Sequence, residues 1–259
     1  MKDDRRILLI VAAGKSTRFG GVPKAFCSLG DRVNVENTIF YAKPYFDKIF
    51  VGVNEETFPN VKDIMCNVNI FPIVTGCGDA DSIYKCLLHI EKSFKGFTGK
   101  VTVCWGDAVF LNDVVFREMR DSEGLLNNNI SVIVACSLDR FPYAWFEMKG
   151  QIIKKSYFSK VDGVREQGIH DQSVFLAEFE RLKKYLGKFR EFSGLTEEDL
   201  YVYSPDRPEV KLLDAFSWFY NTEDLKPAYI HIVTANQVLT FNTQNELENI
   251  QKKRNESMR

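Results

Sequence analysis

Short apolar runs alternate with helix-like segments through the first half of the chain, and this alternation restricts the fold more than any other feature. Each run has the length of a strand, whereas the segments between the runs carry apolar residues at helical spacing. The strand-like runs are Ile7–Ala12, Lys48–Val53, Val68–Val74, Val101–Trp105 and Ile130–Cys136, and the helix-like segments are Asn34–Tyr45, Asp81–Phe94 and Asn112–Arg120. The order predicts right-handed βαβ crossovers and therefore a mainly parallel sheet in a three-layer α/β/α fold.

The pattern changes after about residue 138. Tyr143–Met148 and Gln151–Phe158 flank Lys149-Gly150, which predicts an antiparallel hairpin appended to the parallel sheet. The remaining predictions are a helix over Gln172–Phe189, strands over Tyr229–Thr234 and Val238–Phe241, and a charged helix from Gln244. A length of 259 residues suits one large α/β domain or two small ones, and we favour a single domain over residues 1–259.

Composition excludes several classes of partner. The formal net charge is −1 and the pI is near 6.4, so the whole molecule has no electrostatic reason to bind nucleic acid or a membrane surface. No apolar stretch approaches the roughly 20 residues that cross a bilayer, and the N-terminal run is followed by Gly14-Lys15 instead of a signal-peptide cleavage site. Scattered cysteines without a C-x-x-C pair are typical of reduced thiols. We therefore expect a cytoplasmic protein.

The loop after the first strand combines small residues with three cations, in the order Ala12-Ala13-Gly14-Lys15-Ser16-Thr17-Arg18-Phe19-Gly20-Gly21-Val22-Pro23-Lys24. Small residues let backbone N–H groups approach a phosphate, and Arg18 and Lys24 supply the positive charge that a polyphosphate needs. A P-loop is a weaker interpretation, because its first glycine would have to stand at Leu9, inside the strand. An ordinary strand-to-helix turn with solvated cations is the purely structural alternative.

This loop resembles the A-A-G-x-x-x-R…P-K signature of the nucleotidyltransferases that include sugar-1-phosphate nucleotidylyltransferases, molybdenum cofactor guanylyltransferase and methylerythritol-phosphate cytidylyltransferase. The resemblance implies a Rossmann-like nucleotidyltransferase fold in which the loop binds the nucleotide. It also implies catalytic roles for Arg18 and Lys24, which would hold the triphosphate and stabilise the charge that develops on the α-phosphate and the departing pyrophosphate. The implied nucleotide-binding residues of the loop are Ala12, Ala13, Gly14, Lys15 and Ser16.

A second phrase, Thr75-Gly76-Cys77-Gly78-Asp79-Ala80-Asp81-Ser82, follows a strand and leads into a helix. Asp81 and Ser82 are suited to cap that helix, which is the purely structural interpretation. The phrase also resembles the G-G-x-x-R-x-x-S segment of methylerythritol-phosphate cytidylyltransferase, which implies that Gly76 and Ser82 contact cytosine. Asp79 stands where that enzyme has arginine, and the resemblance favours CTP as the nucleotide.

The strand Val101–Trp105 is followed by Gly106-Asp107, which puts a carboxylate at the carboxyl end of a parallel strand, where α/β sheets bind ligands. The carboxylate could instead cap the helix that begins near Asn112. The family has a similar strand-Gly-Asp phrase, and the resemblance implies that Asp107 binds Mg²⁺ and the nucleotide. Mg²⁺ is a hard cation that carboxylates and phosphate oxygens bind together.

The second metal ligand of the family lies late in the chain, ahead of a helix that begins with an N-T-P-E-D-L-like phrase. Asn242-Thr243-Gln244-Asn245-Glu246-Leu247 is similar to that phrase. Alignment implies Asn236 as the ligand if one residue is inserted and Gln237 if none is. Asp214 and Asn242 are further alternatives. The first choice is therefore a neutral amide, which binds Mg²⁺ less strongly than a carboxylate does.

The resemblance implies a Mg²⁺-dependent transfer of a nucleoside monophosphate, CMP in the favoured case, from the triphosphate to a small phosphorylated acceptor. Residues 1–138 would bind the nucleotide, and residues 139–259 would bind the acceptor and close the site. The hairpin resembles the segment beside the sugar site of sugar-1-phosphate nucleotidylyltransferases, which suggests capsule or surface polysaccharide synthesis. The acceptor would be a sugar phosphate, a polyol phosphate, phosphocholine or phosphoglutamine. His170 and Asp171 could reach it, although Asp171 could equally cap the following helix.

Other functional classes stay open at this point. A nucleotide-binding regulatory module would keep the first loop and lack catalysis, but it would not require Asp107. A P-loop kinase or ATPase is the weaker alternative, because Leu9 stands where the P-loop motif has its first glycine. Related enzymes are often dimers, so a homodimer is also considered.

Overall fold

The computed structural model describes residues 4–14, 23–62, 68–222, 227–233, 238–241 and 243–257. Its strands are β1 (Arg6–Ala12), β2 (Lys48–Asn54), β3 (Asn69–Ile73), β4 (Lys100–Trp105), β5 (Val109–Phe110), β6 (Val132–Arg140), β7 (Ala144–Lys149), β8 (Ile152–Phe158), β9 (Gln167–Glu178), β10 (Ala228–Ile232) and β11 (Val238–Leu239). Its helices are α1 (Asn34–Ala42), α2 (Phe58–Val61), α3 (Asp79–Ser93), α4 (Val114–Asp121), α5 (Ser159–Asp162), α6 (Phe179–Phe192), α7 (Leu212–Asn221) and α8 (Gln244–Ser257). No helix in these ranges is long and apolar enough to cross a membrane.

Nine of the strands form one sheet in the order β3-β2-β1-β4-β9-β6-β10-β8-β7, and β11 pairs with β5 in a separate ribbon. β1 pairs in parallel with β2 and β4, β2 with β3, and β6 with β10. β9 runs antiparallel to both of its neighbours, β4 and β6, and the β7–β8 hairpin forms the antiparallel edge. The predicted mainly parallel sheet with an appended hairpin is confirmed.

Side chains of the central strand β1 alternate between two cores, and this alternation defines the layers of the fold. Ile7 and Leu9 belong to a core that contains the apolar faces of α3, α6 and α7. Leu8 and Ile10 belong to a second core, which contains the apolar faces of α1 and α4. Because all four side chains are fully buried, the sequence of β1 is continuously apolar. The three-layer α/β/α architecture is confirmed.

The helix predicted over Gln172–Phe189 is wrong in its first part. Residues up to Glu178 belong to β9, and the helix, α6, begins at Phe179. Residues 174–177 are buried because β9 lies inside the sheet, between β4 and β6. A strand buried on both faces is continuously apolar, and periodicity alone cannot distinguish such a run from a buried helix. Asp171 consequently lies within a strand and is not a helix cap.

A helix that the sequence pattern does not predict, α7, follows the polar segment that ends near Arg207. Its buried residues Phe216 and Phe219 belong to the same core as α3 and α6. Ser156 of β8 donates from Oγ to Leu213 O at 2.6 Å, so the hairpin is also attached to this helix. Helix α7 therefore joins the hairpin to the main core.

The C-terminal helix α8 packs on the segment that follows Lys24. Leu247 and Ile250 of α8 form a small core with Leu29 and neighbouring residues. The buried Arg254 donates from Nη1 to Leu29 O. This packing supports the residues after Lys24 from outside the sheet.

The described cysteines are free and buried, as their scattered spacing predicts. They are Cys27, Cys77, Cys86, Cys104 and Cys136. Burial raises the pKa of each thiol, so these groups are protonated and unreactive at neutral pH. Cys66 lies outside the described residues.

Candidate active site

A cavity of about 680 Å³ lies beyond the carboxyl ends of β1 and β4. Parallel strands direct their carboxyl ends to one edge of the sheet, and α/β proteins bind ligands in the crevice there. The lining residues belong to the end of β1 and the loop after it, the turn at the start of α3, the end of β4, and the segment ahead of α7. They are residues 11–14, 23–25, 75–79, 82, 105–107, 203–205, 207 and 209.

Lys24 and Asp107 face each other in this cavity. Lys24 Nζ donates to Asp107 Oδ2 at 3.2 Å, although the two residues are 83 positions apart in the sequence. The Asp107 side chain is 40% exposed and the Lys24 side chain only 14%. Lys24 Nζ also lies 5.7 Å from the ring centroid of Phe241, which confines the ammonium group. The carboxylate therefore remains accessible to a ligand beside a fixed positive charge.

The backbone ahead of Asp107 is fixed by close packing and by a buried amide. A Cβ at Gly106 would lie 2.8 Å from the Cβ of Ala12, so glycine is required for the ends of β1 and β4 to approach this closely. Gly106 N–H donates to Val11 O at 2.9 Å. The buried Asn34 donates from Nδ2 to Gly106 O at 3.0 Å. These contacts fix the position of Asp107 at the end of β4.

A second buried amide holds the first loop. Asn54, the last residue of β2, donates from Nδ2 to Ala13 O at 3.3 Å and accepts Thr57 N–H at 2.7 Å through Oδ1. Sequence reasoning missed both Asn34 and Asn54, because a single asparagine at the end of an element belongs to no motif. What indicates a role for these two residues is that their polar side chains are buried, and this burial is visible only in the folded structure.

The turn before α3 forms another wall of the cavity. Helix α3 begins two residues before Asp81, so Asp81 and Ser82 lie inside its first turns and are not its caps. Ser82 Oγ donates to Gly78 O at 2.9 Å, and Asp81 Oδ2 accepts Cys77 N–H at 2.9 Å. A Cβ at Gly76 would overlap the Ser82 hydroxyl. The two residues predicted to contact cytosine, Gly76 and Ser82, are thus packed together on the cavity wall.

Asp81 is fully buried and interacts with two cations. Arg190 of α6 donates from Nε to Asp81 Oδ1, and Lys85 Nζ lies 3.2 Å from Asp81 Oδ2. Lys85 also donates to Thr75 O at 3.2 Å. A buried carboxylate is tolerated when it is paired in this way. The network connects α3 and α6 to the turn that lines the cavity.

Residues 8–181, more than half of the chain, match the MobA-like NTP transferase domain. The chain belongs to this family. The nucleotidyltransferase activity implied by the first loop is therefore confirmed at the level of the family, whose members bind nucleoside triphosphates and phosphorylated acceptors. The matched residues include Lys24, Asp107 and the turn before α3, and they end before α7. No curated protein matches the chain.

Many solved structures share the fold of this chain, and three of them are similar over nearly their whole length. A protein from Bacillus anthracis assigned as a glucose-1-phosphate thymidylyltransferase has a TM-score of 0.67 and 14% identity, over 96% of this chain and 95% of that one. The CTP:phosphocholine cytidylyltransferase of Streptococcus pneumoniae has a TM-score of 0.66 and 15% identity, over 96% and 99%. The inositol-1-phosphate CTP transferase of T. maritima has a TM-score of 0.65 and 14% identity, over 99% and 98%. At these identities the likeness shows the fold.

Asp79 stands in this NTP transferase where the cytidylyltransferase phrase has arginine. Its Oδ1 accepts the N–H of Leu212, the first residue of α7, at 2.6 Å, and its side chain lines the cavity. Burial raises the pKa of Asp79 to about 7, against the hydrogen bonds from the N–H groups of Leu212 and Ala80, which lower it. The wall therefore carries a carboxyl group that ionises near neutral pH in place of a cation.

Residues 203–211, which we call the strap, form a wall of the cavity that lies outside the matched residues 8–181. None of the motifs found in the sequence predicts it. Val210 N–H donates to Cys77 O at 2.7 Å, and Ala80 N–H donates to Val210 O at 3.1 Å. Gly78 has a φ of 115°, and a Cβ there would overlap the backbone of Val210. The sequence of the strap predicts only an irregular polar segment. The one feature that could have indicated a functional role is an arginine between two prolines in a long loop.

A β-bulge brings polar side chains of β9 to the edge of the sheet that carries Asp107. The pairing of β6 with β9 shifts register in its middle, and Ser173 has a φ of 60°. Burial raises the pKa of Asp171, against the opposing effects of His170 and of the hydrogen bond from Ser173 N–H, and the charge of Asp107 adds a smaller increase. Beside it, His170 Nε2 lies 2.6 Å from Asp139 Oδ2. His170 and Asp171, the candidate acceptor contacts, therefore lie at this edge of the sheet.

The cavity brings together the described members of the predicted site, which are Ala12, Ala13, Gly14, Lys24, Gly76, Ser82 and Asp107. Other predicted members lie outside the described residues, namely Lys15, Ser16, Arg18, Asn236, Gln237 and Asn242. Asp214 is not placed with Asp107, because α7 carries it to a separate depression that shares only Glu209 with the cavity. Within the described ranges, no group of three or more His, Cys, Asp or Glu residues could hold a metal ion.

Proposed function

We propose that this NTP transferase transfers CMP from CTP to a small phosphorylated acceptor and releases pyrophosphate. The observation that carries the proposal is the contact between Lys24 and Asp107, at 3.2 Å, in a cavity that Gly76 and Ser82 also line. A fixed cation neutralises phosphate oxygens, and an accessible carboxylate binds the metal that accompanies a triphosphate. A binding module without catalysis would have no use for this carboxylate.

The reaction depends on positioning and charge neutralisation more than on acid–base catalysis. An ionised phosphate oxygen of the acceptor attacks the α-phosphorus of CTP. The new P–O bond forms as the bond between the α-phosphorus and the bridging oxygen breaks, and pyrophosphate leaves with the electron pair. Lys24 and Arg18 are assigned to neutralise the charge that develops on the α-phosphate and on the departing pyrophosphate. No residue has to remove a proton from the acceptor.

Asp107 is the proposed ligand of Mg²⁺. The carboxylate lines the cavity and is 40% exposed, and carboxylate oxygen is the ligand that this hard cation prefers. Mg²⁺ at such sites is commonly bound by one or two carboxylates together with substrate phosphates, so the residues present fit the ion. When bound, the ion supplies further neutralisation of the triphosphate charge. Asn236 or Gln237 is proposed as the second ligand.

Two observations support CTP and a small phosphorylated acceptor as the substrates. Gly76 and Ser82, the counterparts of cytosine contacts, are packed together on the cavity wall. Two of the three structural neighbours are named as CTP enzymes, one for phosphocholine and one for inositol 1-phosphate. We therefore propose a sugar phosphate, a polyol phosphate, phosphocholine or phosphoglutamine as the acceptor, in capsule or surface polysaccharide synthesis, with His170 and Asp171 on the acceptor side.

The test is pyrophosphate release in the presence of Mg²⁺. Each of CTP, UTP, GTP and ATP is combined with each of a panel of sugar 1-phosphates, polyol phosphates, phosphocholine and phosphoglutamine. Release with CTP and one class of acceptor is the expected result. Faster release with another triphosphate would contradict the choice of CTP. A chain that binds CTP and releases no pyrophosphate with any acceptor would support the regulatory module instead.

A further inference from the structure

The strap carries a cation that is held in place at the cavity, Arg207. Arg207 Nε donates to Asp199 Oδ1 at 2.9 Å, and the Arg207 side chain is 37% exposed and lines the cavity. A guanidinium group has five N–H donors in a planar fork. The contact with Asp199 uses one of them, so the others can bind a ligand.

Asp199 is itself fixed in position. It is buried, and its Oδ2 accepts the N–H of Thr196 at 2.7 Å and the hydroxyl of Thr196 at 2.9 Å. The hydrogen bond from Thr196 N–H makes the largest contribution to lowering the pKa of Asp199, and Arg207 lowers this pKa as well. One oxygen of the carboxylate is therefore bound to Thr196 and the other to Arg207. A side chain that is ordered before its ligand arrives loses less conformational entropy on binding.

The strap is attached to the turn that carries the candidate cytosine contacts. Cys77 Sγ lies 3.7 Å from Ser204 O, and Val210 is hydrogen-bonded to the backbone of Cys77 at 2.7 Å. Beyond the strap, Asp79 accepts the N–H of Leu212 at 2.6 Å. The segment that holds Arg207 is thus continuous with the wall assigned to the base, and it is separate in the chain from the segments that hold Lys24 and Asp107.

Arg207 also offsets acidic charge on this wall. In the described parts of the turn and the strap that line the cavity, Asp79 and Glu209 are acids and Arg207 is the cation. Without Arg207, the charged side chains among these lining residues would all be acidic, and they would repel an anionic nucleotide. A guanidinium group can donate to the acceptor atoms of a base or of a ribose and can stack on a ring.

We propose that Arg207 is a nucleotide-binding residue that contacts the nucleoside end of CTP, and that Asp199 positions it. The inference rests on the proposed function, because it takes CTP as the nucleotide. Lys24 and Asp107 then act on the phosphates, and the strap binds the other end of the same molecule. Nothing in the motifs of the first loop or of the turn before α3 predicts this contribution.

Equilibrium binding of CTP to the full-length chain tests the proposal. Arg207→Ala is expected to weaken CTP binding about tenfold to a hundredfold, as the loss of a charged hydrogen-bond donor does. Lys211→Ala is the matched control. Lys211 belongs to the same strap, but it lies 4.6 Å from the ring centroid of Phe158 and lines the separate depression. Its ion pair with Glu209, at 3.5 Å, is weak because the Glu209 side chain is 68% exposed. Loss of the Lys211 side chain should change CTP binding less than about twofold, and an equal effect of the two variants would overturn the proposal.

Binding of CMP tests which end of the nucleotide is contacted. Arg207→Ala should weaken CMP and CTP by similar factors, because both carry the same nucleoside. A loss confined to CTP would overturn the assignment to the nucleoside end. Unchanged CTP binding with a raised KM for the acceptor would overturn the assignment to the nucleotide. A wild-type chain that binds none of the four triphosphates would contradict the proposed function itself, and this result is distinguishable from either of the others.

A double-mutant cycle tests whether Asp199 acts through Arg207. Asp199→Asn should weaken CTP binding in the wild-type background and have little further effect in the Arg207→Ala background. A merely structural role of Asp199 would instead give the same loss in both backgrounds, and that result would overturn its assignment as a positioning residue. Arg207→Lys should bind CTP more weakly than wild type, because lysine retains the charge but not the planar fork.

Discussion

Two walls of the same cavity are built in different ways. The wall that carries Lys24 and Asp107 stands on the sheet, where β1 pairs with β2 and β4 along its whole length and Gly106 packs on Ala12. The wall that carries Arg207 stands on the strap, which has no regular secondary structure and is held by individual hydrogen bonds to the turn before α3. One wall is an extension of the core, and the other is attached to it.

The difference separates two tasks that a nucleotidyltransferase has to perform. Groups that stabilise a transition state must be held rigidly, and strand ends in a packed sheet do this well. Groups that recognise a substrate are commonly carried by loops, whose sequences can change without disturbing the core. We therefore expect changes on the sheet wall to affect turnover without affecting stability, and changes beneath the strap to affect stability and nucleotide binding together.

The largest effect is expected on the sheet wall. Asp107→Ala or Lys24→Ala should lower the rate of pyrophosphate release by about a thousandfold or more, because each removes charge stabilisation from the reacting phosphates. The free energy of unfolding of Asp107→Ala should change by less than about 1 kcal/mol, since the Asp107 side chain is 40% exposed. Glu56→Gln is the matched control, because Glu56 follows the end of β2 by two residues, as Asp107 follows β4, and does not line the cavity. A normal rate in Asp107→Ala would remove its assigned role.

The next effect concerns the support beneath the turn and the strap. Arg190→Met should lower the free energy of unfolding by about 3 kcal/mol, because it removes one partner of the buried Asp81. Denaturant unfolding measures the loss, and CTP binding should weaken with it. Lys183→Met is the control, because Lys183 also connects α6 to α3 but pairs with Glu91, which is 47% exposed, and should matter by less than about 1 kcal/mol. Equal losses would mean that burial of the pair is unimportant.

A smaller effect is expected where the strap meets the turn. Gly78→Ala should lower the free energy of unfolding by about 2 kcal/mol, since a Cβ would overlap Val210 and the φ of 115° is unfavourable for alanine. At Gly96 the φ is 74° but no atom lies within 4 Å of the added Cβ, so Gly96→Ala isolates the backbone strain. Gly96→Ala should leave CTP binding unchanged. If Gly78→Ala left it unchanged as well, the strap would not depend on this contact.

The same difference between the walls explains what could be predicted from the sequence. The sheet wall was predictable, because β1 and β4 are short apolar runs and their carboxyl ends must meet at one edge. Ala12, Lys24 and Asp107 follow from those runs and from the resemblance of their motifs. The strap was not predictable, because its position depends on hydrogen bonds to Cys77 and Ala80, which come from a distant part of the chain.

The incorrect predictions have a related cause, which is that the structure at these positions depends on distant parts of the chain. The first part of Gln172–Phe189 is continuously apolar because β9 is buried between two strands, and that environment is not encoded in its own periodicity. Asp81 appears in the sequence as a candidate cap, whereas in the structure Arg190 converts it into a buried support for the turn. Local patterns predict local structure, and partners far apart in the sequence decide the rest.

The smallest expected effect is a pH dependence that belongs to the strap wall. Folding raises the pKa of Asp79 from about 3.8 to about 7, so the folded state favours the protonated carboxyl group. Its contribution to stability is therefore fully present below about pH 4 and is lost as the pH rises to about 7. Asp79→Asn keeps an oxygen for the N–H of Leu212 and cannot ionise. Its free energy of unfolding relative to wild type should rise by about 1–2 kcal/mol across this window, less than the full shift implies because the carboxyl group lines an open cavity.

Denaturant unfolding at pH 4, 5.5 and 7 measures this change, and Asp121→Asn, at an exposed position on α4, is the control. The stabilities of wild type and Asp121→Asn should change in parallel with pH, while that of Asp79→Asn should rise relative to both as the pH rises from 4 to 7. At pH 7, Asp79→Asn should bind CTP more tightly than wild type or Asp121→Asn does, because an ionised Asp79 repels the anionic nucleotide and a neutral amide does not. Parallel curves for all three proteins would show that Asp79 is already ionised well below neutral pH. In that case the contacts of Val210 would stabilise the strap. Asp79, which stands where the cytidylyltransferase phrase has arginine, would then affect nucleotide binding only through its negative charge.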